Sequence, residues 1–469
     1  MRAIWQSCLL HSPADDGRAM SFFLFLLYIF LTFFRPIELY APELGELRPM
    51  LWLWILAILT SIGTAFSTKT TGVKALHFKM IFGFWALIGI SKLISPWRGA
   101  TLESLNEFST SSMLFVLAAL NLTNTKRIQA TIGAIVAAML INSLVGINAY
   151  YTGEKMEQLV LRQNTPAHDE EDPNLPPPEP ITSPAEDNSG WYLWRLKNIG
   201  FLSDPNDFAQ VLVMTLPMLW LMYRAGRWMW NLVCIVLPGA IMFHAILLTQ
   251  SRGALIGSAS LLSFFVHKKL GTTKTLVLLA TAGIVQSMGA AFGGREFSGK
   301  EKSAEERLES WTIGIQLLKS NPITGAGYGN FLEYNYLTAH NSYVLCFAEM
   351  GLLGYFVWIG MIVVTFKGLM RVFKLRPGTP EAHLANMLRS SMVGYLACAW
   401  FLSRTYGPAL YLLMSIGIAT WYSSVRATPA EEVPPELAYI EWREATLKFM
   451  AVTLLGVYGF VLSHALGGK

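Results

Sequence analysis

The sequence predicts an all-α protein built as a polytopic bundle of transmembrane helices. Apolar residues occupy 53% of the 469 positions and charged residues only 14%, whereas soluble proteins carry about 25% charged residues. The apolar residues form long runs between short polar stretches, and no run alternates as a barrel strand would. This composition excludes disordered, coiled-coil, collagen-like and disulfide-scaffold proteins.

The apolar runs predict 12 or 13 membrane spans, since a helix needs about 20 residues to cross a bilayer. Several runs are short and could be tilted or partly re-entrant. The predicted spans are Met20–Phe34, Met50–Phe66, Leu76–Ile94, Phe108–Leu122, Ile128–Tyr150, Phe208–Tyr223, Asn231–Thr249, Gly253–Val266, Lys274–Phe292, Ser342–Phe366, Leu388–Leu402, Gly407–Tyr422 and Thr446–Ser463.

Basic residues predict the orientation. With a cytoplasmic N-terminus, pairs such as Lys126 and Arg127 or Arg224 and Arg227 lie on the cytoplasmic side, as the positive-inside rule requires. The net charge of +5 therefore reflects cytoplasmic loops and not a nucleic-acid partner. The predicted organisation is N-terminal transmembrane helices (1–150), a first periplasmic loop (151–207), central transmembrane helices (208–292), a second periplasmic loop (293–341) and C-terminal transmembrane helices (342–469).

The two long loops differ in character. The first carries an acidic, proline-rich stretch, Asp169–Pro180, which predicts partial disorder: a flexible tether, or a docking site for a partner. The second is predicted to contain an amphipathic helix over 303–319. Ser303 and Glu306 form a capping box, and an apolar stripe with Trp311 would lie on the membrane surface.

Polar residues cluster at the external ends of the predicted spans. Asp204 or Asn206 can cap a helix after Pro205, which predicts either a plain helix start or a substrate-facing segment. Arg252 lies in a short polar segment between two apolar runs, where it could bind a ligand anion or phospholipid headgroups. Arg307 could reach a lipid-borne phosphate or pair with a neighbouring glutamate.

His340 is the strongest candidate for a general base. It stands with Asn341 and Ser342 just before a long apolar helix, and an unperturbed histidine has a pKa of about 6.5. Glu349 lies two turns into that helix, where a carboxylate is costly unless it is paired or faces a cavity. We expect it to pair with Arg404 or Arg252, as a structural ion pair or in the chemistry itself.

Other catalytic signals are missing from the sequence. It contains no P-loop, HExxH motif, zinc-type Cys/His spacing or nucleophile elbow. The glycines of Gly325–Phe331 follow a helix and not a strand, so they do not predict a dinucleotide site. We therefore expect no cofactor and no metal. Arginines and one histidine suit transfer of a group that is already activated by a phosphate leaving group.

At these positions the sequence resembles the superfamily of O-antigen ligases and O-antigen polymerases. The resemblance runs from Gly200 to the helix after His340, and its motifs are specific as an ordered set. They are Gly200–Asn206 with Ala209, Ser251–Ala254, Glu306-Arg307 with Trp311, Asn321–Gly327, His340–Tyr343 and Glu349–Gly354.

The resemblance implies an inverting, metal-independent glycosyltransferase of the bacterial inner membrane, with its active site at the periplasmic face. The donor would be a glycan on undecaprenyl diphosphate, and the acceptor lipid A–core, another lipid-linked glycan or a protein. Arg252 and Arg307 match the family's essential arginines and His340 its essential histidine, with Arg404, Glu349, Asn206 and Asn341 as possible supporting residues. A transporter or flippase is the alternative from another class, although such proteins usually carry matching halves with midplane charges.

Overall fold

A computed structural model describes residues 13–68, 75–164, 182–187, 189, 191–264 and 302–467. The predicted span Lys274–Phe292 and the acidic stretch Asp169–Pro180 lie outside these residues. The described chain is an all-α helical bundle with one two-stranded ribbon, which confirms the predicted fold class.

The long helices are labelled in chain order, and short helical turns connect several of them. They are α1 (Pro13–Phe33), α2 (Pro49–Thr68), α3 (Ala75–Ile94), α4 (Thr101–Asn121), α5 (Thr125–Thr152), α6 (Pro205–Thr215), α7 (Trp228–Leu248), α8 (252–264), α9 (Lys302–Ser320), α10 (Ser342–Leu375), α11 (Pro380–Ala399), α12 (Pro408–Arg426) and α13 (Arg443–Gly467).

Helix α10 is the centre of the bundle. It packs against α3, α9, α11, α12 and α13, and 72% of its most apolar window is buried, against 22% for α7 and for α13. The two exposed helices present large apolar side chains such as Leu237 and Leu455 outwards. Apolar side chains can face outwards in this way where lipid is the solvent.

Five described helices are long and apolar enough to cross a membrane: Leu76–Ile94, Thr125–Thr152, Trp228–Leu248, Ser342–Leu375 and Arg443–Ser463. Shorter apolar helices lie at Arg18–Phe33 and Pro49–Ala65. Interior helices such as α12 contain polar side chains, including Ser415 and Thr420, that are buried against neighbouring helices. These polar residues lower the mean hydropathy of such helices. The total of 12 or 13 spans remains a prediction.

The helix ends gather into two groups. On one side, Thr125 at the start of α5 bonds to Ser423 of α12 over 3.0 Å and also to Glu381 of α11. On the opposite side, Ser342 at the start of α10 accepts a hydrogen bond from the Arg404 amide, after the end of α11. Helices that alternate in direction therefore bring the polar loops around residues 200, 250, 340 and 404 to one end of the bundle.

Helix α10 is broken at Gly351, whose φ of 62° and ψ of −169° are not helical. The Asn321–Gly327 segment satisfies the backbone groups that the break frees. The Ala326 amide donates to the Ala348 carbonyl over 2.8 Å, and the Leu352 amide donates to the Pro322 carbonyl over 2.8 Å. A broken helix is tolerated inside a membrane protein where other protein groups pair with its backbone in this way.

Replacing Gly351 with Ala should destabilise the protein by about 2 kcal/mol or more. An alanine pays about 1–3 kcal/mol for this backbone conformation, and its Cβ would lie 2.3 Å from the Ile323 carbonyl oxygen. Thermal unfolding in detergent measures the effect. Gly83→Ala in α3 is the matched control, because no atom beyond its own helix backbone and chain neighbours lies within 4 Å of its Cβ position and alanine favours helix. Equal unfolding temperatures for the two variants would show that the break carries no strain.

Helix α9 confirms the helix predicted at 303–319, extended by one residue at each end. Its predicted place on the membrane surface is wrong for Trp311, which is only 3% exposed. The Trp311 ring lies between Trp400 and Phe460. The apolar stripe therefore packs on the protein, because α10 and α13 cover it.

The long loop between α5 and α6 contains a ribbon that was not predicted from the sequence. Strand β1 (Val160–Asn164) pairs antiparallel with β2 (Tyr192–Leu196), and Leu161 stands opposite Arg195. Five-residue strands give a weak pattern, and the partner strand lies about thirty residues away in the chain. The ribbon matters because β2 carries a buried arginine towards the polar end of the bundle.

Candidate functional site

The chain re-enters the bundle at the start of α6. Asp204 caps this helix by accepting a hydrogen bond from the Asn206 amide over 2.7 Å, and Pro205 takes the first helical position. Asp204 is therefore the cap, one of the two residues the sequence offered. The Asn206 side chain is left to accept a hydrogen bond from a different segment.

That segment is β2, through Arg195. The Arg195 side chain is buried, with a relative exposure of 6%. Its Nη2 donates to Asn206 Oδ1 over 2.9 Å and its Nε donates to the Thr249 carbonyl over 3.0 Å. This residue was not predicted from the sequence, although a charged residue within the otherwise apolar stretch Tyr192–Leu196 was a signal for it.

The turn after Thr249 orients Arg252. Gln250 adopts a left-handed φ of 53°, and the Ser251 hydroxyl accepts a hydrogen bond from the Ala254 amide over 3.4 Å, which caps α8. Arg252 is the first residue of α8 and is half-buried. It therefore lies at a helix N-terminus, where backbone amides and the helix dipole favour a bound anion.

Arg404, which follows α11 in the chain, pairs with Asp207 of α6 through its Nε atom. The Asp207 side chain is 6% exposed, while that of Arg404 is 45% exposed. Burial raises the pKa of Asp207 to about 6, and the charge of Arg404 opposes that rise. At neutral pH the carboxylate is thus mostly ionised and keeps the pair intact. The predicted pairing of Glu349 with Arg404 is wrong.

Glu349 instead belongs to a network inside the bundle. Its carboxylate, 2% exposed, accepts hydrogen bonds from the Tyr406 hydroxyl over 2.9 Å and the Phe331 amide over 3.1 Å. Lys92 acts on Glu349 electrostatically and donates to the Tyr328 carbonyl over 3.0 Å. The network joins α3, α10 and the loop before His340. It therefore fixes the position of that loop from inside the bundle.

His340 lies where α9 meets the start of α10. Its backbone is left-handed, with φ at 47°. The Ala339 carbonyl accepts a hydrogen bond from Trp311 Nε1 over 3.0 Å, and Asn341 caps α10 by accepting from the amides of Tyr343 and Val344. The hydrogen bonds of Ala339 and Asn341, on either side of His340, therefore hold it in a backbone conformation that is uncommon for residues other than glycine.

The charges around His340 come from two other segments. Burial lowers the pKa of His340 below its ordinary value of 6.5, the charge of Arg307 lowers it further, and the charge of Asp204 opposes both. The imidazole is therefore mostly neutral at pH 7. A neutral imidazole beside an arginine and a carboxylate can accept a proton from a hydroxyl group.

The structure thus gathers most of the predicted site residues at one end of the bundle. The charges of Arg307 and Asp204 act on His340 electrostatically, and Arg195 links Asn206 to the turn that precedes Arg252. Arg404 is joined to the same end through Asp207 and Ser342. Asn341 acts as a helix cap and Glu349 lies deeper. Within the described residues, no group of three His, Cys, Asp or Glu side chains could hold a metal ion.

The fold and the site together define a polytopic helical membrane protein with a cationic polar site at one end. Residues 237–359 match the family model described as O-antigen ligase, and this segment contains Arg252, Arg307 and His340. This match supports the O-antigen ligase superfamily for that segment of the chain and suggests a membrane enzyme of the glycosyltransferase or ligase type. No curated protein matches the chain.

Proposed function

We propose that this protein transfers a glycan from undecaprenyl diphosphate to an acceptor hydroxyl group at the periplasmic face of the bacterial inner membrane. The observation that carries the proposal is the place of His340, held left-handed at the start of α10 beside Arg307 and Asp204. The match to the O-antigen ligase family over 237–359 supports the reaction class.

The two arginines bind the donor in this proposal. Arg252 at the N-terminus of α8 and Arg307 on α9 donate charge-assisted hydrogen bonds to phosphate oxygens, and a guanidinium can do so with two parallel N–H groups. As the donor bond breaks, negative charge grows on the departing diphosphate. Fixed donors in a site that excludes water stabilise that charge by about 3–4 kcal/mol each.

His340 activates the acceptor. Its neutral imidazole takes the proton from the acceptor hydroxyl while that oxygen forms a bond to the anomeric carbon. The bond between the anomeric carbon and the diphosphate oxygen breaks, and its electron pair leaves with undecaprenyl diphosphate. A single displacement of this kind inverts the configuration at the anomeric carbon. It requires no metal ion in this proposal.

The basic residues favour the proposed orientation. Lys126 and Arg127 lie at the start of α5, beside the end that holds the Thr125–Ser423 hydrogen bond. His340 and Arg252 lie at the opposite end. With the basic end in the cytoplasm, the site faces the periplasm, where a polyprenyl-linked glycan could enter between helices from the bilayer.

Reconstitution with a defined donor tests the proposal. The purified protein, in proteoliposomes with an undecaprenyl-diphosphate-linked glycan, should form a new glycosidic product and release undecaprenyl diphosphate. We expect lipid A–core to be the productive acceptor in a panel with a second lipid-linked repeat and a pilin-like peptide. EDTA should leave the rate unchanged.

The panel separates the related activities. A product on the lipid-linked repeat would identify a polymerase, and a product on the peptide would identify a protein glycosyltransferase of the same superfamily. Movement of the donor across the bilayer without a glycosidic product would contradict the proposal and identify a transporter. An incubation without acceptor is the control for hydrolysis of the donor.

A further inference from the structure

Arg195 is a buried cation that joins three segments of the candidate site. It extends from β2, and its guanidinium contacts the end of α7 and the start of α6 at the same time, through the Thr249 carbonyl and Asn206 Oδ1. Burying a charged side chain costs free energy unless hydrogen bonds compensate it. Its two acceptors belong to different segments and bind two separate nitrogens of the planar guanidinium, whereas a lysine has one amine nitrogen.

The Thr249 contact lies next to Arg252 in the chain. Thr249 ends α7, and its hydroxyl accepts a hydrogen bond from the Ser251 amide over 3.3 Å. A cation at a helix C-terminus is favourable for the carbonyls that point there. Between Thr249 and Arg252 stand only the left-handed Gln250 and the α8 cap Ser251. The position of the Thr249 carbonyl therefore affects the position of the first turn of α8, which contains Arg252.

We propose that Arg195 is a positioning residue for the donor site: it fixes Arg252 and Asn206 relative to each other so that the diphosphate meets a preformed set of donors. This inference rests on the proposed function. Arg195 acts through Arg252 and the α6 start and does not itself touch the substrate. A displacement of about 1 Å in a reacting group can cost about 10²-fold in rate.

The ribbon supplies a matched control. Arg162 lies on β1, opposite Trp194 and next to the position that faces Arg195. It is exposed, and its guanidinium lies over the Tyr192 ring, 4.7 Å from the ring centroid. Arg162 and Arg195 are thus arginines on paired strands, and only Arg195 is bonded to the turn before Arg252.

The experiment measures binding of undecaprenyl diphosphate and steady-state transfer for purified full-length variants. Arg195→Gln should weaken binding about tenfold and reduce kcat/KM about 10²-fold, while Arg162→Gln stays within about twofold of wild type on both. Arg195→Lys, which keeps the charge and most of the volume, should fold as wild type does and still bind more weakly. In an Arg252→Gln background, Arg195→Gln should add little, since both changes act on one group.

Several outcomes would overturn the inference. Wild-type binding by Arg195→Lys would show that the two-acceptor contact is dispensable. Losses that add in full in the double variant would show that Arg195 does not act through Arg252. A wild-type protein that fails to bind undecaprenyl diphosphate would instead refute the proposed function, so the two failures are distinguishable.

Discussion

Replacing His340 with Ala is expected to reduce glycan transfer by about 10²–10⁴-fold, the usual contribution of a positioned general base, and to leave donor binding unchanged. The imidazole is the group that accepts the acceptor proton, whereas the diphosphate is bound by arginines from α8 and α9. Single-turnover transfer and a separate measurement of undecaprenyl diphosphate binding distinguish the two effects. Near wild-type turnover by His340→Ala would refute the assignment of the base.

The pH profile gives an independent check on His340. The base must be neutral to act, and burial together with Arg307 lowers the pKa of His340 below 6.5. Transfer should therefore be constant near pH 7 and fall as the pH drops through that lowered value, because the imidazole then becomes protonated. His340→Asn is the matched variant, since asparagine also tolerates the left-handed backbone. The residual activity of His340→Asn should not show this fall at low pH.

Replacing Arg252 with Lys is expected to reduce transfer by about 10²–10³-fold even though the charge is retained. A lysine amine is a point donor and cannot reproduce two parallel N–H groups directed at phosphate oxygens. Because the same contacts strengthen as the leaving group gains charge, kcat should fall as well as the donor affinity.

Arg162→Lys is the control for this substitution, since Arg162 lies on the ribbon, outside the proposed donor contacts. It should transfer at the wild-type rate. If Arg252→Lys is as active as Arg162→Lys, the arginine contributes only charge at long range or a contact with lipid headgroups. Measurements at two salt concentrations separate these possibilities, because exposed charges are screened within about 10 Å at 0.1 M salt.

Local patterns in the sequence predicted the helices and their capped ends. The cap at Asp204, the helix at 303–319 and the long helix after His340 depend on near neighbours in the chain and on apolar periodicity, so one stretch of sequence contains the required information. The break at Gly351 was not predicted, because it depends on the Asn321–Gly327 segment that pairs with it.

By itself the sequence determined the class of protein and the residue types of the site. A chain with 14% charged residues cannot cover a soluble surface, and Arg252, Arg307 and His340 stand out because polar residues are costly beside apolar runs. Only the tertiary structure decided which residues form hydrogen bonds and ion pairs with each other. Arg404 pairs with Asp207, Glu349 pairs with Tyr406, and Arg195 joins two loops. These contacts link residues far apart in the chain, and their energies depend on burial and geometry that no local pattern encodes.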